Sequence, residues 1–385
     1  MKMKILHVCL ANFYIDNYSY QENLLPKYHK KMGYEVEIIA SLDTFNEKGE
    51  SSYSNKDGIY INEDGIKVTR VPYKFNNRIG RKLKIFPSIK TKLEKFAPDI
   101  IFIHGCQFFY PGEFVNYYRE KNVRIIVDNH ADFSNSATNW LSKNILHKFL
   151  WKRKAQMLNA VTETFFGVLP ARVDFLKNVY SLPKEKCKLL VMGGDDEFID
   201  KYNYIESRRN MGKKFPIETD DFLIITAGKI DEAKMETFNL INAVKKINDP
   251  KVKLIIFGSV TSNLEDRFYS EIDDKNVIYG GWMENSESYM YFKGSDLAIF
   301  PGRHSVYWEQ VVSLGKPLVV KEWEGTKHVN VNGNAIFLTE NTTQELVEII
   351  KNLQVNKKLF NEMEKNASLV ADKFRYSRIA KESLS

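Results

Sequence analysis

Short apolar runs alternate with helix-like segments along the whole chain of 385 residues, and this alternation restricts the fold more than any other feature. It is typical of parallel sheets that are covered by helices on both faces. The first series of runs is KILHVCL, EVEIIAS, KVTRVPY, DIIFIHG, VRIIVDNH and, after a long helical stretch, KLLVMGG. The second is DFLIITAGKI, KLIIFGS, NVIYGG, LAIFPG, PLVV and NAIFL. The sequence therefore predicts an α/β protein with two domains, joined by a polar hinge that extends from Gly193 to Asp221.

Composition excludes several classes of protein. A hydrophobic content of 43% is enough to give each of two domains its own core. The chain has no apolar run of eighteen residues, and its N-terminus leads directly into a strand without the cleavage site of a signal peptide, which predicts a cytoplasmic protein. Its three cysteines are far apart and support neither a disulfide framework nor a zinc site. Neither a dinucleotide-type glycine turn after the first run nor a Walker A or H-E-x-x-H motif is present.

Residues 295–319 have the pattern of a ligand site. A buried strand ends at Pro301, and Ser305 is predicted to cap the helix that follows. The unpaired amides of a helix start attract phosphate. Glu309 lies four residues after Ser305, so its carboxylate is predicted to lie on the same helix face, where it accepts hydrogen bonds from a sugar diol.

A second ligand signal is the segment GKIDEAK, which follows the apolar run FLIITA. Gly228 ends that run, and Lys229 and Lys234 then place two cations beside the carboxyl end of a strand, where open α/β sheets bind ligands. Two ammonium groups at this point would neutralise a pyrophosphate. A solvated position on a helix face is the alternative interpretation of either lysine.

The segment 295–319 resembles the donor loop of the GT-B retaining glycosyltransferases of the large family 4 type. That family has a P-S loop, an E-x7-E motif and a G-x-P strand entry, and residues 315–317 (GKP) match the last of these. Glu309 or the adjacent Gln310 matches the second glutamate. The first glutamate, which contacts the donor sugar in the family, is missing from a shortened loop, and His304 and Ser305 stand there instead.

Weaker matches extend the resemblance over nearly the whole chain. GKIDEAK resembles the family's G-R-x-x-x-x-K-G element, with Lys229 in place of the arginine. YGGWMENSESYMYFKGSD resembles the segment in which a strand end contacts the nucleotide base, which implies base contacts for Gly281 and Trp282, with a core position as the alternative for Trp282. GGDDEF resembles the interdomain turn, and FRYSRIAKESL resembles a C-terminal helix that crosses back to the first domain. The implied division is 1–195 for acceptor binding, 196–365 for nucleotide-sugar binding and 366–385 for the crossing helix.

Two histidines follow neighbouring apolar runs in the N-terminal half. His130 comes directly after VRIIVDN, so it is predicted to lie at the mouth of the sheet. In the family a histidine at this point lies near the donor sugar and its phosphate, which implies a catalytic role for His130. A structural histidine bonded to the backbone is the alternative. His104, at the end of IIFIH, is a candidate for acceptor binding, and a satisfied core position is its alternative.

The loop after the first run is polar and aromatic where the family usually has glycines. Its residues Asn12, Tyr20, Gln21 and Glu22 suit carbohydrate, because ring faces pack on sugar C–H groups and amides pair with hydroxyls. We expect these four residues to contact the acceptor. The alternative is that Tyr20 and the residues after it simply begin a helix.

The resemblance implies the GT-B fold, in which two Rossmann-like domains face each other across a cleft. It implies a retaining, metal-independent glycosyltransferase that moves a sugar from a UDP- or GDP-linked donor to a glycan or lipid-linked acceptor, in the synthesis of bacterial surface polysaccharide or glycoconjugates. No cofactor or metal is expected besides the donor substrate. Because the first glutamate is missing, a noncatalytic glycan-binding subunit and a nucleotide-sugar hydrolase or epimerase on the same fold stay open as alternatives.

Charge is unevenly divided along the chain. Residues 1–195 carry 30 Lys and Arg against 20 Asp and Glu, whereas the remaining residues carry 26 against 29. The basic residues form two clusters beside aromatic residues: Lys74, Arg78, Arg81, Lys82, Lys84, Lys90 and Lys92 near Phe75 and Phe86, and Lys148, Lys152, Arg153 and Lys154 around Phe149 and Trp151. Such clusters predict docking on an anionic membrane at its inner face. A solvated surface is the alternative, and no nucleic-acid-binding motif accompanies the charge.

Overall fold

The computed structural model describes residues 2–45, 51–54 and 57–385. The chain divides into two compact units, of which the first comprises Met1–Val191 and Ala380–Ser385 and the second comprises Met192–Ile379. The boundary predicted from the sequence, after residue 195, lies a few residues further along the chain.

The first unit is built on a mostly parallel sheet. Its strands are β1 (Lys4–Cys9), β2 (Glu35–Ser41), β3 (Asp43–Phe45), β4 (Ser51–Tyr53), β5 (Gly58–Ile61), β6 (Lys67–Val71), β7 (Ile100–His104), β8 (Arg124–Asn129), β9 (Thr164–Gly167) and β10 (Cys187–Leu189). Within the described residues, eight of them form one sheet in the order β10-β9-β8-β7-β1-β2-β6-β5. Only the pair β5 and β6 in this sheet is antiparallel among the described strands, and β3 pairs with β4 in a separate antiparallel ribbon. The sheet order reverses between β1 and β7, which is where such sheets bind ligands.

Helices cover the strands of the first unit. They are α1 (Gln21–Lys31), α2 (Arg78–Lys82), α3 (Lys90–Phe96), α4 (Gly112–Lys121), a π-helix (Ser142–Trp151) that continues into α5 (Lys152–Asn159), α6 (Pro170–Asn178) and a short 3-10 helix (Lys184–Lys186). The apolar residues of β1, β7 and β8 lie between the helix layers and are buried, as the near-continuous apolar runs predict.

One predicted element of this unit was wrong. The residues between β8 and β10 were predicted as a single helical stretch, but the structure places β9 there, between α5 and α6. The four residues of β9 are all buried, and its Thr-Phe-Phe run is β-branched and aromatic, which favours a strand. A run this short gives a weak periodic signal beside its helical neighbours. The strands β3, β4 and β5 were also not predicted.

The second unit is a doubly wound parallel sheet, and all six of its predicted strands are confirmed. They are β11 (Phe222–Ala227), β12 (Val252–Phe257), β13 (Val277–Gly281), β14 (Leu297–Phe300), β15 (Leu318–Lys321) and β16 (Ala335–Leu338). In the described residues their order is β13-β12-β11-β14-β15-β16, and every pairing is parallel. The order therefore reverses between β11 and β14.

Helices pack on both faces of this second sheet. The α-helices of this unit are α7 (Asp196–Lys201), α8 (Tyr204–Gly212), α9 (Thr237–Ile247), α10 (Glu265–Ser270), α11 (Asn285–Gly294), α12 (Tyr307–Ser313), α13 (Thr343–Val355) and α14 (Lys357–Val370). The last helix, α15 (Tyr376–Glu382), begins in the second unit, and its residues from Ala380 onward belong to the first. Short 3-10 helices lie at Glu232–Lys234, Ser262–Leu264, Lys327–Val329 and Ala371–Phe374. Across the described ranges of both units, we find no helix with the length and apolar character needed to span a bilayer.

Candidate functional site

The reversal point of the second sheet brings two glycines together. Gly228 follows β11 and Gly258 follows β12, and both have a φ of +131°, a left-handed conformation that favours glycine. A Cβ atom at Gly258 would lie only 2.0 Å from the carbonyl oxygen of Gly228, so a side chain has no room there. Bare backbone at the carboxyl ends of these strands leaves space for a ligand to approach closely.

Lys234 lies at this reversal point. It is the last residue of the 3-10 helix after β11, and its Cγ atom is 3.3 Å from the place where a Cβ at Gly302 would lie. Its Nζ atom is 3.0 Å from the corresponding position at Gly228. Burial lowers the pKa of the Lys234 ammonium, and nearby Asp231 only partly offsets this. In the described part of the chain we find no hydrogen-bond or ion-pair partner for this Nζ atom.

The other predicted donor residues lie at the same edge of the sheet. Lys229 is exposed on the loop that Gly228 begins. Gly281 ends β13 with a φ of +76° and open space above its Cα atom. Trp282 is 71% exposed, which excludes the core position that was its alternative. The structure thus brings Gly228, Lys229, Lys234 and the β13 end to the carboxyl edge of a single sheet.

The cap of the helix after β14 was predicted one residue too early. The helix α12 begins at Tyr307, and Val306 occupies the cap position, without a side-chain cap. The hydroxyl of Ser305 still accepts a hydrogen bond from the Tyr307 amide, at 3.4 Å. Ser305 belongs to the loop because the chain between β14 and α12 stays irregular through residue 306.

Glu309 is enclosed between two histidines. Its Oε1 atom accepts a hydrogen bond from His304 Nε2 at 2.8 Å and another from His328 Nε2 at 2.7 Å. The Glu309 side chain is fully buried, which alone would raise its pKa, but the two imidazoles outweigh burial and lower the pKa to about 2. The carboxylate fixes the ring of His304, which keeps 14% of its side chain exposed. The Oε2 atom of Glu309 is buried without a hydrogen-bond partner among the described residues, and the predicted contact with a sugar diol stays a prediction.

Gln310, the other residue considered for the second glutamate, is also buried. Its Nε2 atom donates to the hydroxyl of Ser288 on α11, at 2.6 Å. This bond ties α12 to the helix that follows the Gly281–Trp282 segment. His328 was not predicted, because it lies nineteen residues after Glu309 and meets it only through the fold. The distances within the His304, Glu309 and His328 trio are those of hydrogen bonds. The expectation that no metal is needed stays a prediction.

The first unit gathers a second polar cluster at its own reversal point. His130 directly follows β8, as predicted, and its Nε2 atom lies 3.5 Å from Asp128 Oδ2 and 3.6 Å from Glu22 Oε1. Burial lowers the pKa of His130, but the two carboxylates outweigh it and raise the pKa above its ordinary value. Gln21 Nε2 donates to the same Asp128 oxygen at 3.1 Å. The structure therefore brings together His130, Glu22 and Gln21 from the predicted set.

The remaining residues that were predicted to bind the acceptor differ in their position and in their exposure to solvent. Asn12 lies in the loop three residues after the end of β1, with its Oδ1 atom 3.1 Å from the Cβ position of Gly105 and its buried Nδ2 atom unpartnered among the described residues. Tyr20 precedes α1 at its cap position. His104 is fully buried, and its two ring nitrogens bond to Asp128 at 2.7 Å and to His7 at 2.9 Å. A direct contact between His104 and an acceptor does not fit this burial, so the core alternative describes it better.

The structure is thus an α/β protein with a half-buried cation, Lys234, at the carboxyl edge of a doubly wound sheet, where such sheets usually bind ligands. Comparison with the sequence models of known families identifies this class of protein more narrowly. The sequence model of Glycosyltransferase Family 4 matches residues 24–190, and that of Glycosyl transferases group 1 matches residues 207–370. The chain belongs to the group 1, family 4-like glycosyltransferases, and it has their GT-B fold of two Rossmann-like domains.

Solved structures agree with this fold. A glycosyltransferase from Rickettsia africae is 15% identical with a TM-score of 0.70, and the alignment covers 100% of this chain and 97% of that one. HepE from Anabaena in complex with UDP is 15% identical with a TM-score of 0.68, covering 99% and 98%. WaaG, a glycosyltransferase involved in lipopolysaccharide biosynthesis, is 12% identical with a TM-score of 0.65, covering 98% of each chain. No curated protein sequence matches the chain.

Proposed function

We propose that this glycosyltransferase moves a sugar from a nucleotide diphosphate sugar to a glycan or lipid-linked acceptor, with retention of configuration and without a metal ion. The observation that carries the proposal is the half-buried Lys234 ammonium, which has no partner among the described residues and lies between Gly228 and Gly302. Burial of an unpaired charge has a cost in free energy, and an anionic ligand at this point would reduce that cost. A diphosphate supplies such an anion, and exposed Lys229 adds a second cation at its edge.

The distance between the predicted positions of the nucleotide base and the diphosphate supports a nucleotide diphosphate sugar as the donor. Gly281 ends β13 and Trp282 follows it, and β13 lies two strands away from β11 in the sheet. Neighbouring strands are about 4.8 Å apart, so the base position lies about 10 Å from the diphosphate position along the sheet edge. We assign uridine as the base, because HepE has been solved with UDP and with UDP-glucose. The exposed indole of Trp282 provides a stacking surface for it.

The transfer step is assigned from the geometry and from the family resemblance. The bond between the anomeric carbon and the diphosphate oxygen breaks, and the acceptor oxygen bonds to that carbon on the same face. The acceptor hydroxyl gives its proton to the departing phosphate oxygen. Lys229 and Lys234 stabilise the negative charge that develops on the diphosphate, and preorganised charge of this kind is usually the largest contribution to such catalysis. The catalytic role of His130, which the family resemblance implies, stays part of this proposal.

The acceptor side of the proposal places the protein at a membrane, in the synthesis of bacterial surface polysaccharide or glycoconjugates. Large apolar side chains are exposed on and just before the π-helix: Trp140 (70%), Leu141 (47%), Ile145 (46%) and Phe149 (66%). Leu141, Ile145 and Phe149 follow at intervals of four and therefore share one helix face. Exposed Lys143 and Lys148 flank them. An apolar strip edged by lysines suits the interface of an anionic bilayer.

The exposed basic clusters are smaller than the sequence predicts. Lys84 is not a surface cation, because its Nζ atom donates to the carbonyl of Ala11. Phe86 and Trp151 are buried in the core. Lys152 bonds to the hydroxyl of Ser181 at 2.7 Å. The exposed basic side chains that remain include Arg78, Lys82, Lys148 and Arg153.

The test of the proposed function is a donor screen followed by product analysis. Thermal unfolding in the presence of UDP, GDP and their sugar conjugates should show a higher Tm with the UDP compounds. A ligand at a hundredfold excess over its Kd raises the free energy of unfolding by about 2.7 kcal/mol. Incubation with the preferred donor and a panel of glycan and lipid-linked acceptors should then yield a glycoside whose anomeric configuration matches that of the donor. Binding without transfer to any acceptor would favour the noncatalytic alternative. Free sugar or an epimerised donor would favour the hydrolase or epimerase.

A further inference from the structure

Two imidazoles converge on one carboxylate within the second unit. His304 lies in the loop after β14, Glu309 lies on α12, and His328 lies in the 3-10 helix Lys327–Val329 after β15. One nitrogen of each ring and one oxygen of Glu309 all lie within 4.8 Å of one another. Three different segments therefore bring three potential metal ligands to one place.

Hydrogen bonds within the trio leave part of the carboxylate without a partner. The Nε2 atoms of His304 and His328 both lie against Oε1 of Glu309, at 2.8 Å and 2.7 Å. The Oε2 atom is buried and has no hydrogen-bond partner among the described residues. A buried carboxylate oxygen without a donor has a cost in free energy. An ion that binds the carboxylate through both oxygens would give Oε2 a partner. The Nδ1 atom of His328 also has no described partner, but it lacks one in either arrangement and so does not distinguish them.

The ligand set selects the kind of ion. Two imidazole nitrogens and a carboxylate are ligands that Zn²⁺ prefers, whereas Mg²⁺ and Ca²⁺ prefer oxygen ligands alone. Zn²⁺ often takes three protein ligands and a water molecule in a tetrahedral arrangement. His304 keeps 14% of its side chain exposed, which gives water access to the fourth position.

The trio needs only a small expansion to hold this ion. Bonds from Zn²⁺ to imidazole nitrogen and carboxylate oxygen are about 2.0 to 2.2 Å long, so these atoms lie about 3.3 Å apart across a tetrahedral ion. The present separations of 2.8 Å and 2.7 Å must therefore each grow by about half an ångström. His304 can move by this distance, because it is partly exposed in an irregular loop.

One other group among the described residues has a similar spacing but a different bonding pattern. Glu22, His104 and His130 of the first unit also place their ligand atoms within 4.8 Å of one another. Both ring nitrogens of His104, however, already bond to residues outside that group, at 2.7 Å to Asp128 and at 2.9 Å to His7. A metal ion there would break one of these bonds. In the trio of the second unit, the ion would replace hydrogen bonds between the ligands themselves, so no residue outside the trio loses a partner.

Aromatic side chains surround the trio. The ring of Trp308 lies edge-on to that of His304, with centroids 5.0 Å apart, and the ring of Phe374 lies 6.5 Å from that of His328. Trp308 and Phe374 are both buried. An apolar shell of this kind limits the access of water and lowers the local dielectric, which strengthens the attraction between a cation and a carboxylate.

We propose that His304, Glu309 and His328 form a Zn²⁺ site that joins the loop after β14 to the 3-10 helix after β15. The ion stabilises this edge of the second sheet and takes no part in sugar transfer, for which Lys229 and Lys234 supply the positive charge. The hydrogen bonds to Glu309 hold the same two segments when the ion is removed, so the fold does not require it. The site depends on the trio alone and is independent of the proposed transferase activity.

The test uses Co²⁺ as a spectroscopic substitute for Zn²⁺ in the full chain at neutral pH. After treatment with EDTA and dialysis, one equivalent of Co²⁺ should give the visible absorption bands of a four- or five-coordinate ion, and one equivalent of Zn²⁺ should abolish them. Zn²⁺ should also raise the Tm, whereas Mg²⁺ and Ca²⁺ should not. Absence of the Co²⁺ bands in the wild type would overturn the proposal.

Variants locate the ion. His304→Ala removes a ligand at a partly exposed position, so the chain should fold and bind Zn²⁺ more than about 100-fold less tightly, since loss of a mere outer partner already costs about 10- to 100-fold. His304→Cys supplies a thiolate ligand and should restore binding. The matched control is His130→Ala, which removes a partly exposed histidine from the group in the first unit and should leave the affinity unchanged. Wild-type affinity in His304→Ala, or loss of binding in His130→Ala, would place the ion elsewhere and overturn the proposal.

Discussion

The Oε1 atom of Glu309 lies 2.7 Å from Nε2 of His328, a residue nineteen positions later in the chain. This contact joins α12 to the 3-10 helix Lys327–Val329, on the two segments that follow β14 and β15. Because the same oxygen also accepts from His304, one buried carboxylate fixes both segments at the edge of the sheet. A buried ion of this kind is strongly destabilising when its partners are removed.

The first prediction concerns acid stability. The pKa of Glu309 is lowered from 4.5 to about 2, so the ionised carboxylate stabilises the fold fully above pH 4.5 and loses this effect as the pH falls toward 2. The linked free energy is about 3 kcal/mol. Chemical unfolding over a pH series should show that Glu309→Gln is less stable than the wild type by this order of magnitude near pH 6, and that the gap closes near pH 2. Glu348→Gln, at an exposed position on α13, is the control, and a gap that does not change with pH would contradict the prediction.

A structural feature of this protein could be predicted from the sequence when the residues that form it are close together in the chain. All six strands of the second unit are continuous apolar runs. Such runs are typical of parallel strands that are buried on both faces of the sheet. Lys234 was predicted for the donor site because its spacing from Gly228 is local, and that role stays a prediction. The partner of Glu309 was missed, because His328 is brought to it by two strand-to-helix loops and no motif links them. The hydrogen bond between His7 and His104 was missed for the same reason, since each of them is a single histidine in an apolar strand.

The second prediction concerns the diphosphate. Lys234→Ala should weaken UDP binding by about 1.5 to 3 kcal/mol, the usual range for a hydrogen bond to a charged group. Lys229→Ala should have a smaller effect, because the Lys229 side chain is exposed and solvent screens its charge. Isothermal titration calorimetry measures both. Lys293→Ala is the matched control, because Lys293 is partly buried on α11 but already bonds to the Leu314 carbonyl at 3.0 Å. Unchanged affinity in Lys234→Ala would remove this residue from the donor site.

The third prediction separates the sugar from the nucleotide. His304 stands near the position of the family's missing first glutamate, and Glu309 holds its ring while part of it stays exposed. His304→Ala should therefore weaken binding of UDP-sugar by about 1 kcal/mol, roughly fivefold, while UDP itself binds as before. Gln310→Ala should affect both ligands equally, because its bond to Ser288 positions helices rather than ligand. Equal losses for UDP and UDP-sugar in His304→Ala would place His304 outside the sugar site.

The fourth prediction concerns metal. With Lys229 and Lys234 supplying positive charge to the departing diphosphate, transfer should continue in EDTA at an unchanged rate. Added Mg²⁺ or Mn²⁺ should not raise the rate. The measurement is release of UDP in the presence of the preferred donor and acceptor. Activity that disappears in EDTA and returns with one of these ions would show that the lysines are not sufficient.

The last prediction concerns the membrane. The exposed strip formed by Trp140, Leu141, Ile145 and Phe149 should insert into the interface of anionic vesicles, and the surrounding lysines should draw it there. Each basic side chain near such a surface contributes about 1 kcal/mol, and the attraction decays over a Debye length of roughly 8 Å at physiological salt. Binding measured by liposome sedimentation should therefore need anionic lipid and should weaken as salt is raised.

Two sets of variants separate charge from insertion in this experiment. Lys148→Glu/Arg153→Glu should reduce binding mainly at low salt, because it reverses two exposed charges beside the strip. Trp140→Ser/Phe149→Ser should reduce binding at low and high salt alike, because it removes apolar area that salt does not screen. The control is Lys358→Glu/Lys365→Glu, which makes the same change in net charge at exposed positions of α14 in the second unit. If the control loses as much binding as Lys148→Glu/Arg153→Glu, the attraction depends on net charge alone, and the first unit has no specific membrane-docking face.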